Sequence, residues 1–296
     1  MMKKIKAVWQ LMRLEHGFMI FLGILIGSII ALGGQGIPSW DKFILTFFTA
    51  LFLEASTFAL NDYFDYEIDK KNKRFDRPLV RGDIKPKTAL YLFAIFYPLG
   101  LLSSYFVNIV CFIIAVFTAV FAVLYDSHMK KVKFLGNFYV AYTMAIPFVF
   151  GAAAVLEENV LAFTIHPAII IISLIAFFAG SGREIMKDVQ DFEGDKEKGV
   201  RSFPLYIGKR KSNLLAALFY LIAIALSFVP FFMQQFTIYY MNLAYLLPIL
   251  LCDNMLLSTA LQLIIKKQPD MKLYRKISLL AIFFGLIGFL LGALIR

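Results

Sequence analysis

The sequence predicts an all-α membrane protein, and three observations lead to that class. The 296 residues are 60% hydrophobic and only 17% are charged, below the roughly 25% of an ordinary soluble domain. The apolar residues come in runs of about 17–25, the length that crosses a bilayer as a helix. The basic residues fall almost entirely in alternate loops between these runs. These features predict one domain over residues 1–296, with about nine helices in one bundle around a central cavity.

Nine apolar segments are candidate membrane spans. They cover residues 17–35, 42–60, 88–107, 109–125, 137–156, 167–183, 213–232, 240–265 and 277–295. The stretch MMKKIKAVWQLMRLEHG before the first span has the basic character of a signal peptide. The apolar run that follows it is too long for such a peptide, so we expect an uncleaved first helix.

The charge distribution predicts the orientation. With nine spans, every Lys and Arg except Lys42 and Arg296 falls on one side of the membrane. Because basic loops stay in the cytoplasm, the N-terminus is expected there, in a multi-pass protein of the cell membrane. The net charge of +10 then follows from topology, and no nucleic-acid partner is predicted. Cys111 and Cys252 lie in apolar runs and indicate neither a disulfide framework nor a zinc site.

An acidic motif follows the second span, in the stretch NDYFDYEIDKKNKRFDRPLVRGD. At about 100° per residue, Asp62, Asp65 and Asp69 share one helix face, which Asn61 and the deeper Glu54 join. Acidic residues at the mouth of a membrane helix are costly without counter-charges. One interpretation is a solvated helix end whose acids pair with neighbouring Lys and Arg. The other is a functional site.

The same D-x-x-D-x-x-x-D spacing recurs after the sixth span, in GSGREIMKDVQDFEGDKEKGVRSFPLYIG. Asp188, Asp191 and Asp195 repeat it on the same predicted side of the membrane. Asp195 follows Gly194, so we expect it at a frayed helix end or on a loop. The repetition favours a functional site over chance, and it predicts two half-sites that face each other across the bundle.

Two clusters of carboxylates are typical of a site for Mg²⁺ or Mn²⁺, which prefer hard oxygen ligands. Such ions would cancel the repulsion between carboxylates and a diphosphate, and would stabilise charge on a departing diphosphate. Cationic side chains could complete the site. The candidates are Arg74, Arg77, Lys130, Lys131, Arg183 and Arg201. An allylic diphosphate could then ionise while its isoprenoid tail lies in the apolar bundle.

The two motifs resemble those of the UbiA-type membrane prenyltransferases. NDYFDYEIDKKNKRFDRPL is similar to the first Asp-rich motif of that family, KDVQDFEGDKEKGVRSFP is similar to its second, and nine spans match its fold. The resemblance implies that Mg²⁺, with Mn²⁺ as a substitute, and the diphosphate are bound by Asn61, Asp62, Asp65, Asp69, Asp188, Asp191 and Asp195. It also implies a diphosphate contact from Arg77. Tyr125 and Lys130 resemble the family's Tyr–Lys element, although they are one residue further apart.

These observations predict a role for each site residue. The predicted catalytic residues are Asp62, Asp65, Asp188, Asp191 and Lys130. The predicted metal ligands are Asp62, Asp65, Asp69, Asp188, Asp191 and Asp195. The predicted substrate-binding residues are Asn61, Arg77, Tyr125, Lys130, Arg74 and Arg201. The roles of Glu54, His128 and Asp253 stay open, as does the oligomeric state.

The second motif and the stretch MKKVKFLGNFYVAYTMAIPFVFGA are most similar to the branch of the family that makes archaeal-type ether lipids. That similarity implies transfer of a geranylgeranyl group from its diphosphate to geranylgeranylglyceryl phosphate, at a mouth that faces the cytoplasm. An aromatic quinone precursor or a chlorophyllide-type acceptor stays open, because the motifs are shared. A secondary transporter is the alternative from another class, although it would place ionisable groups near the midplane. Only Glu54 and Asp253 lie well inside predicted spans.

Overall fold

The protein is all-helical over the residues that the computed structural model describes, which are 2–71, 73–129, 132–156, 165–197 and 199–295. The helices are α1 (Met2–Met12), α2 (Leu14–Ala31), α3 (Trp40–Lys71), α4 (Pro78–Arg81), α5 (Pro86–Val107), α6 (Ile109–Ser127), α7 (Lys133–Ala154), α8 (Pro167–Gln190), α9 (Phe192–Glu197), α10 (Phe203–Ser227), α11 (Val229–Phe232), α12 (Leu243–Ile265) and α13 (Met271–Leu294). Within those ranges there is no strand, and the one isolated bridge joins Val132 and Arg201. The predicted all-α class is confirmed.

Eight helical segments among the described residues are long and apolar enough to cross a membrane. They are α3, α5, α6, α7, α8, α10 with α11, α12 and α13. A ninth is added if the bent pair Lys3–Met12 and His16–Ala31 counts as one span. The prediction of about nine membrane helices is therefore confirmed. The helix of the second predicted span, 42–60, continues as α3 for three further turns to Lys71 and so includes the acidic motif, as the spacing of its aspartates predicted.

The chain forms two compact units. Unit 1 comprises Met1–Ile24 and Pro38–His128, and unit 2 comprises Leu25–Ile37 and Met129–Arg296. The first acidic motif lies in unit 1 and the second in unit 2. A single domain over residues 1–296, with half-sites that face each other, stays a prediction.

Prolines and short polar side chains define where several helices begin. Pro86 and Pro167 occupy the first turn of α5 and α8, where a missing N–H costs nothing. Asn108, Asn242 and Asp270 precede α6, α12 and α13, and each side chain accepts a backbone N–H of the first turn. Such caps satisfy donors that the helix itself leaves unpaired.

In unit 1, α1 lies along the end of α3 that carries the acidic motif. Ala7 and Leu11 of α1 are buried in one apolar cluster with Ala59 of α3 and Leu79 of α4. Polar contacts add to this packing, since Arg81 Nη2 donates to Gln10 Oε1 at 2.7 Å and Lys3 Nζ lies 3.4 Å from Asp83 Oδ1. The contacts fix the turn after α1, which carries Arg13.

In unit 2, glycines allow membrane helices to approach closely. A Cβ atom on Gly27 would overlap the carbonyl oxygen of Phe148, so α2 and α7 are in backbone contact there. On α13, a Cβ atom on Gly292 would lie 2.6 Å from Tyr245 Cβ on α12. Small residues at such contacts are typical of helix packing in membranes, where burial against lipid tails gives little driving force.

We expect Gly27→Ala to destabilise the protein, because the methyl group would force α2 away from Phe148. Overpacking of this kind costs about 1–3 kcal/mol. Thermal unfolding in detergent should show a lower midpoint for this variant. Gly36→Ala is the matched control, because a Cβ atom at that position has no neighbour within 4 Å. Equal midpoints for the two variants would contradict the close helix contact.

Candidate active site

The first acidic cluster, Asn61, Asp62, Asp65 and Asp69, lies on the last three turns of α3. Because the helix is continuous, the predicted common face for the three aspartates is present. Asp62 and Asp69 are buried, with 3% and 8% of their surface exposed, and Asp65 is partly buried. The cluster is therefore not a solvated helix end.

Two arginines neutralise Asp62. Arg77 Nη1 donates to Asp62 Oδ1 at 2.7 Å, and Arg13 Nη2 donates to the same oxygen at 3.0 Å. Arg77 Nε also lies 3.7 Å from Asp69 Oδ2, so one guanidinium spans two aspartates of the motif. Arg77 has an extended backbone and directly precedes Pro78, the first residue of α4. The Arg77 side chain therefore lies beside the end of α3.

Arg13 is a site residue that the sequence does not reveal. It joins α1 to α2 with a φ of +45°, a conformation that costs a non-glycine residue energy and needs support from its surroundings. Its guanidinium carbon lies 4.2 Å from the ring centroid of Phe58, in addition to the contact with Asp62. Arg13 and Asp62 are 49 residues apart, so no local spacing connects them.

Of the other predicted residues of unit 1, Asn61 contacts a buried acid, whereas Arg74 lies further from the aspartates. Asn61 Nδ2 donates to Asp126 Oδ1 at 2.8 Å, and Asp126 is a buried residue that follows the predicted Tyr125 on α6. Arg74 binds Asp76 through two hydrogen bonds of 2.9 and 2.8 Å, and its nearest contact with Asp69 is 4.0 Å. That guanidinium holds the pKa of the Asp76 carboxyl below its usual range. Arg74 therefore lies at the edge of the cluster.

Lys130 and Lys131 lie outside the described residues. The predicted pairing of Lys130 with Tyr125 stays a prediction.

The second acidic cluster, Asp188, Asp191 and Asp195, spans the break between α8 and α9. Asp188 is 1% exposed and Asp195 is 7% exposed, whereas Asp191 is exposed at the end of α8. The expectation that Asp195 lies on a frayed end or loop is wrong. Helix α8 ends earlier, with Asp191 as its C-cap. Asp195 lies within α9, where its Oδ2 accepts a hydrogen bond of 2.7 Å from Lys133 Nζ.

Lys133 and Asn137, both on α7, bind this cluster and were not predicted. Lys133 Nζ lies 3.5 Å from Asp188 Oδ1, and Asn137 Nδ2 donates to Asp188 Oδ2 at 2.7 Å. The two residues are one helical turn apart, so they share a face of α7. That spacing, directly after a basic loop, is the sequence signal that could have identified them.

Two other predicted cations lie beside the second cluster. Arg183 Nη1 is 3.8 Å from Glu184 Oε1, one turn before Asp188, and Lys187 Nζ is 3.2 Å from Glu184 Oε2. Arg201 is exposed, and its carbonyl oxygen accepts the backbone N–H of Lys133 at 2.9 Å. This backbone contact joins the segment before α10 to the start of α7.

The donor chemistry of both clusters fits Mg²⁺ and a diphosphate. Mg²⁺ prefers carboxylate oxygens, and phosphate oxygens prefer Arg and Lys. Within the described ranges, no group of three or more His, Cys, Asp or Glu side chains is arranged to hold a metal ion. In each cluster, buried carboxylates contact cationic side chains instead.

Sequence comparison over most of the chain identifies its family. Residues 20–280 match the UbiA prenyltransferase family. The chain belongs to that family. It is 40% identical over 294 residues to a digeranylgeranylglyceryl phosphate synthase of Archaeoglobus fulgidus, with 98% of this chain and 96% of that protein covered. It is 32% identical to the enzyme of the same name from Methanosarcina mazei, with 97% and 98% covered.

Solved structures of UbiA-type proteins share the fold. One, of digeranylgeranylglyceryl phosphate synthase in membranes, has a TM-score of 0.77 and 34% identity, and the match covers 98% of this chain and 99% of the other. Another, of a UbiA homolog from Archaeoglobus fulgidus bound to DMAPP and Mg²⁺, has a TM-score of 0.56 and 18% identity over 94% and 97% of the two chains. The predicted membrane prenyltransferase is thus confirmed.

Replacing either arginine that contacts Asp62 should impair this prenyltransferase. A hydrogen bond to a charged group contributes roughly 1.5–3 kcal/mol, so Arg13→Ala and Arg77→Ala should each lower turnover by about 10–100-fold. Arg77→Lys should recover only part of the activity, because the guanidinium fork is lost. The measurement is prenyl transfer by purified protein.

Lys4→Ala is the control for these variants, because Lys4 is an exposed cation on the same helix α1 that precedes Arg13. It should leave turnover nearly unchanged. If Arg13→Ala behaves like Lys4→Ala, the contact between Arg13 and Asp62 has no role in the reaction.

Proposed function

We propose that the chain transfers a geranylgeranyl group from its diphosphate to the free hydroxyl of geranylgeranylglyceryl phosphate. The donor carbon–oxygen bond breaks, diphosphate departs, and the acceptor oxygen forms an ether bond and loses its proton. The observation that carries the proposal is the similarity to digeranylgeranylglyceryl phosphate synthases, which reaches 40% identity over 98% of the chain.

The acidic clusters are the proposed binding residues for metal and diphosphate. Asp62, Asp65, Asp69, Asp188, Asp191 and Asp195 would hold Mg²⁺, and Mn²⁺ is expected to substitute. When bound, the ion neutralises the diphosphate and stabilises the charge that develops as it leaves. Arg13, Arg77 and Lys133 lie beside these carboxylates, and we propose that they contact phosphate oxygens together with Lys130.

The orientation of the protein is part of the proposal. Apart from Lys42 and Arg296, the Lys and Arg residues lie in segments that share one predicted side of the membrane. Because such loops remain in the cytoplasm, we place both acidic clusters at the cytoplasmic face of the cell membrane. The charged diphosphate would then bind at the water-exposed cytoplasmic face, while the prenyl chain remains among apolar helices.

Alanine substitutions in the acidic clusters should abolish turnover in a protein that still folds. Loss of a metal ligand removes several kcal/mol of charge stabilisation, so Asp62→Ala, Asp65→Ala, Asp188→Ala and Asp191→Ala should each reduce turnover by about 10²-fold or more. Asp69→Ala and Asp195→Ala, at the ends of their motifs, should have milder effects. Turnover and size-exclusion profiles in detergent are the measurements.

Glu67→Ala and Glu197→Ala are matched controls for the aspartate variants. Each removes an exposed acid from the same helix as one of the clusters, α3 and α9 respectively. Both should retain nearly full turnover. Near-normal turnover of both Asp62→Ala and Asp188→Ala would mean that the repeated spacing serves the fold alone.

The acceptor can be identified by incubating purified protein with geranylgeranyl diphosphate, Mg²⁺ and a panel of acceptors, followed by mass spectrometry. We expect a digeranylgeranylglyceryl phosphate product that disappears with EDTA and returns with Mg²⁺ or Mn²⁺. A product formed only with a quinone precursor or a chlorophyllide-type acceptor would refute the proposed acceptor. Full turnover in metal-free buffer would refute the proposed metal site.

A further inference from the structure

Helix α8 carries an arginine that the acidic clusters do not use. Arg183 lies five residues before Asp188, so it is displaced from that aspartate by roughly 7.5 Å along the helix axis, toward the apolar part of α8. Its side chain is 20% exposed, and its one ion-pair contact among the described residues is with Glu184, whose Oε1 lies 3.8 Å from Nη1. An ionisable residue inside a membrane helix is a candidate for a functional site.

The Arg183 guanidinium forms no hydrogen bond within the described ranges, although it carries several N–H donors. Arg77 and Arg275, which are also partly buried, each donate to a side-chain oxygen, at 2.7 and 2.9 Å. In Arg183, Nε is the one guanidinium nitrogen that is both enclosed and unpaired, so a ligand would reach Nη1 and Nη2. Charged donors without acceptors are costly in a protein interior, and an anion at the Nη atoms would supply the acceptors.

Neutralisation of Glu184 does not account for Arg183. Glu184 is buried and needs a counter-charge. Lys187 supplies that charge, because its Nζ donates to Glu184 Oε2 at 3.2 Å. Arg183 adds a second cation beside one acid and leaves a positive charge in excess. The basic character of cytoplasmic loops does not account for it either, since Arg183 lies within α8 and four-fifths of its side chain is buried.

The proposed reaction involves two anionic groups, the diphosphate of the donor and the phosphate of the acceptor. The aspartates and the cations that contact them are the proposed site for the diphosphate. The acceptor phosphate is attached to the same glycerol unit as the reacting hydroxyl, so it must bind near the donor but apart from the diphosphate. Arg183 meets both requirements, because it follows Asp188 toward the apolar part of α8 and pairs with none of the six aspartates among the described residues.

We propose that Arg183 binds the phosphate of geranylgeranylglyceryl phosphate and thereby selects a phosphorylated acceptor, an inference that rests on the proposed function. A guanidinium group binds phosphate through two parallel hydrogen bonds, and the nearby Glu184 carboxylate orients the planar group. An acceptor without a phosphate gains nothing from this contact. Arg183 therefore discriminates between acceptors, which the acidic motifs do not.

Steady-state prenyl transfer by the purified full-length protein tests the proposal. The donor is geranylgeranyl diphosphate, and the acceptor is either geranylgeranylglyceryl phosphate or its dephosphorylated form, geranylgeranylglycerol. The unmodified protein should have the higher kcat/KM with the phosphorylated acceptor. Arg183→Gln should reduce that preference by about 10–100-fold, because hydrogen bonds to a charged group are lost, and the KM for the donor should not rise. Arg183→Lys should retain part of the preference, because the charge remains but the fork geometry is lost.

Arg275→Gln is the matched control, because it removes the same charge from a partly buried arginine of unit 2 that already donates to Gln190 Oε1. It should keep the preference of the unmodified protein. The ratio of the two kcat/KM values does not depend on the folded fraction, so partial misfolding of Arg183→Gln cannot imitate the expected result.

An equal loss with both acceptors in Arg183→Gln, or a higher KM for the donor, would overturn the proposal while the proposed function stands. Arg183 would then serve the fold or the diphosphate. Absence of any preference in the unmodified protein would overturn it as well. If the unmodified protein transfers to neither acceptor, the proposed function is refuted and this proposal with it.

Discussion

Neutralisation of buried carboxylates is the constraint on which the other features of the described site depend. Asp62 and Asp188 are almost fully buried at the ends of apolar helices. An unpaired charge in such a place costs several kcal/mol, and removal of one partner of a buried pair typically costs about 3–5 kcal/mol. The turn after α1 and the start of α7 meet this need, because they carry Arg13 and Lys133.

The two clusters meet this constraint with different chemistry. In unit 1, guanidinium groups from Arg13 and Arg77 contact Asp62, and one of them extends to Asp69. In unit 2, a single ammonium group from Lys133 is shared between two aspartates, and the remaining contact is a neutral amide. The second cluster thus has less counter-charge per buried carboxylate. Its affinity for a divalent cation should accordingly depend less on displacing resident cations.

The sequence predicted those features that depend on local pattern. Long apolar runs identify the spans because the bilayer sets their length, and the repeated Asp spacing identified both acidic motifs. Hydropathy ends the second span at residue 60 because the extension to Lys71 is polar, and it was the helical spacing of Asp62, Asp65 and Asp69 that predicted the continuation of α3. The partner Arg13 was missed because it lies 49 residues from Asp62. That contact arises from tertiary packing and leaves no local signal.

The positions of these partners along the chain also bear on biosynthesis. Arg13 precedes Asp62 by 49 residues, and Lys133 precedes Asp195 by 62. A ribosome therefore delivers Arg13 and Lys133 before the acids that they neutralise, whereas Arg77 follows Asp62 by 15 residues. Since chains fold from the N-terminus during synthesis, the carboxylate-bearing helix can enter a bilayer in which its counter-ion already resides at the surface. Reversing the order of the segments would leave Asp62 without Arg13, and Asp195 without Lys133, during insertion.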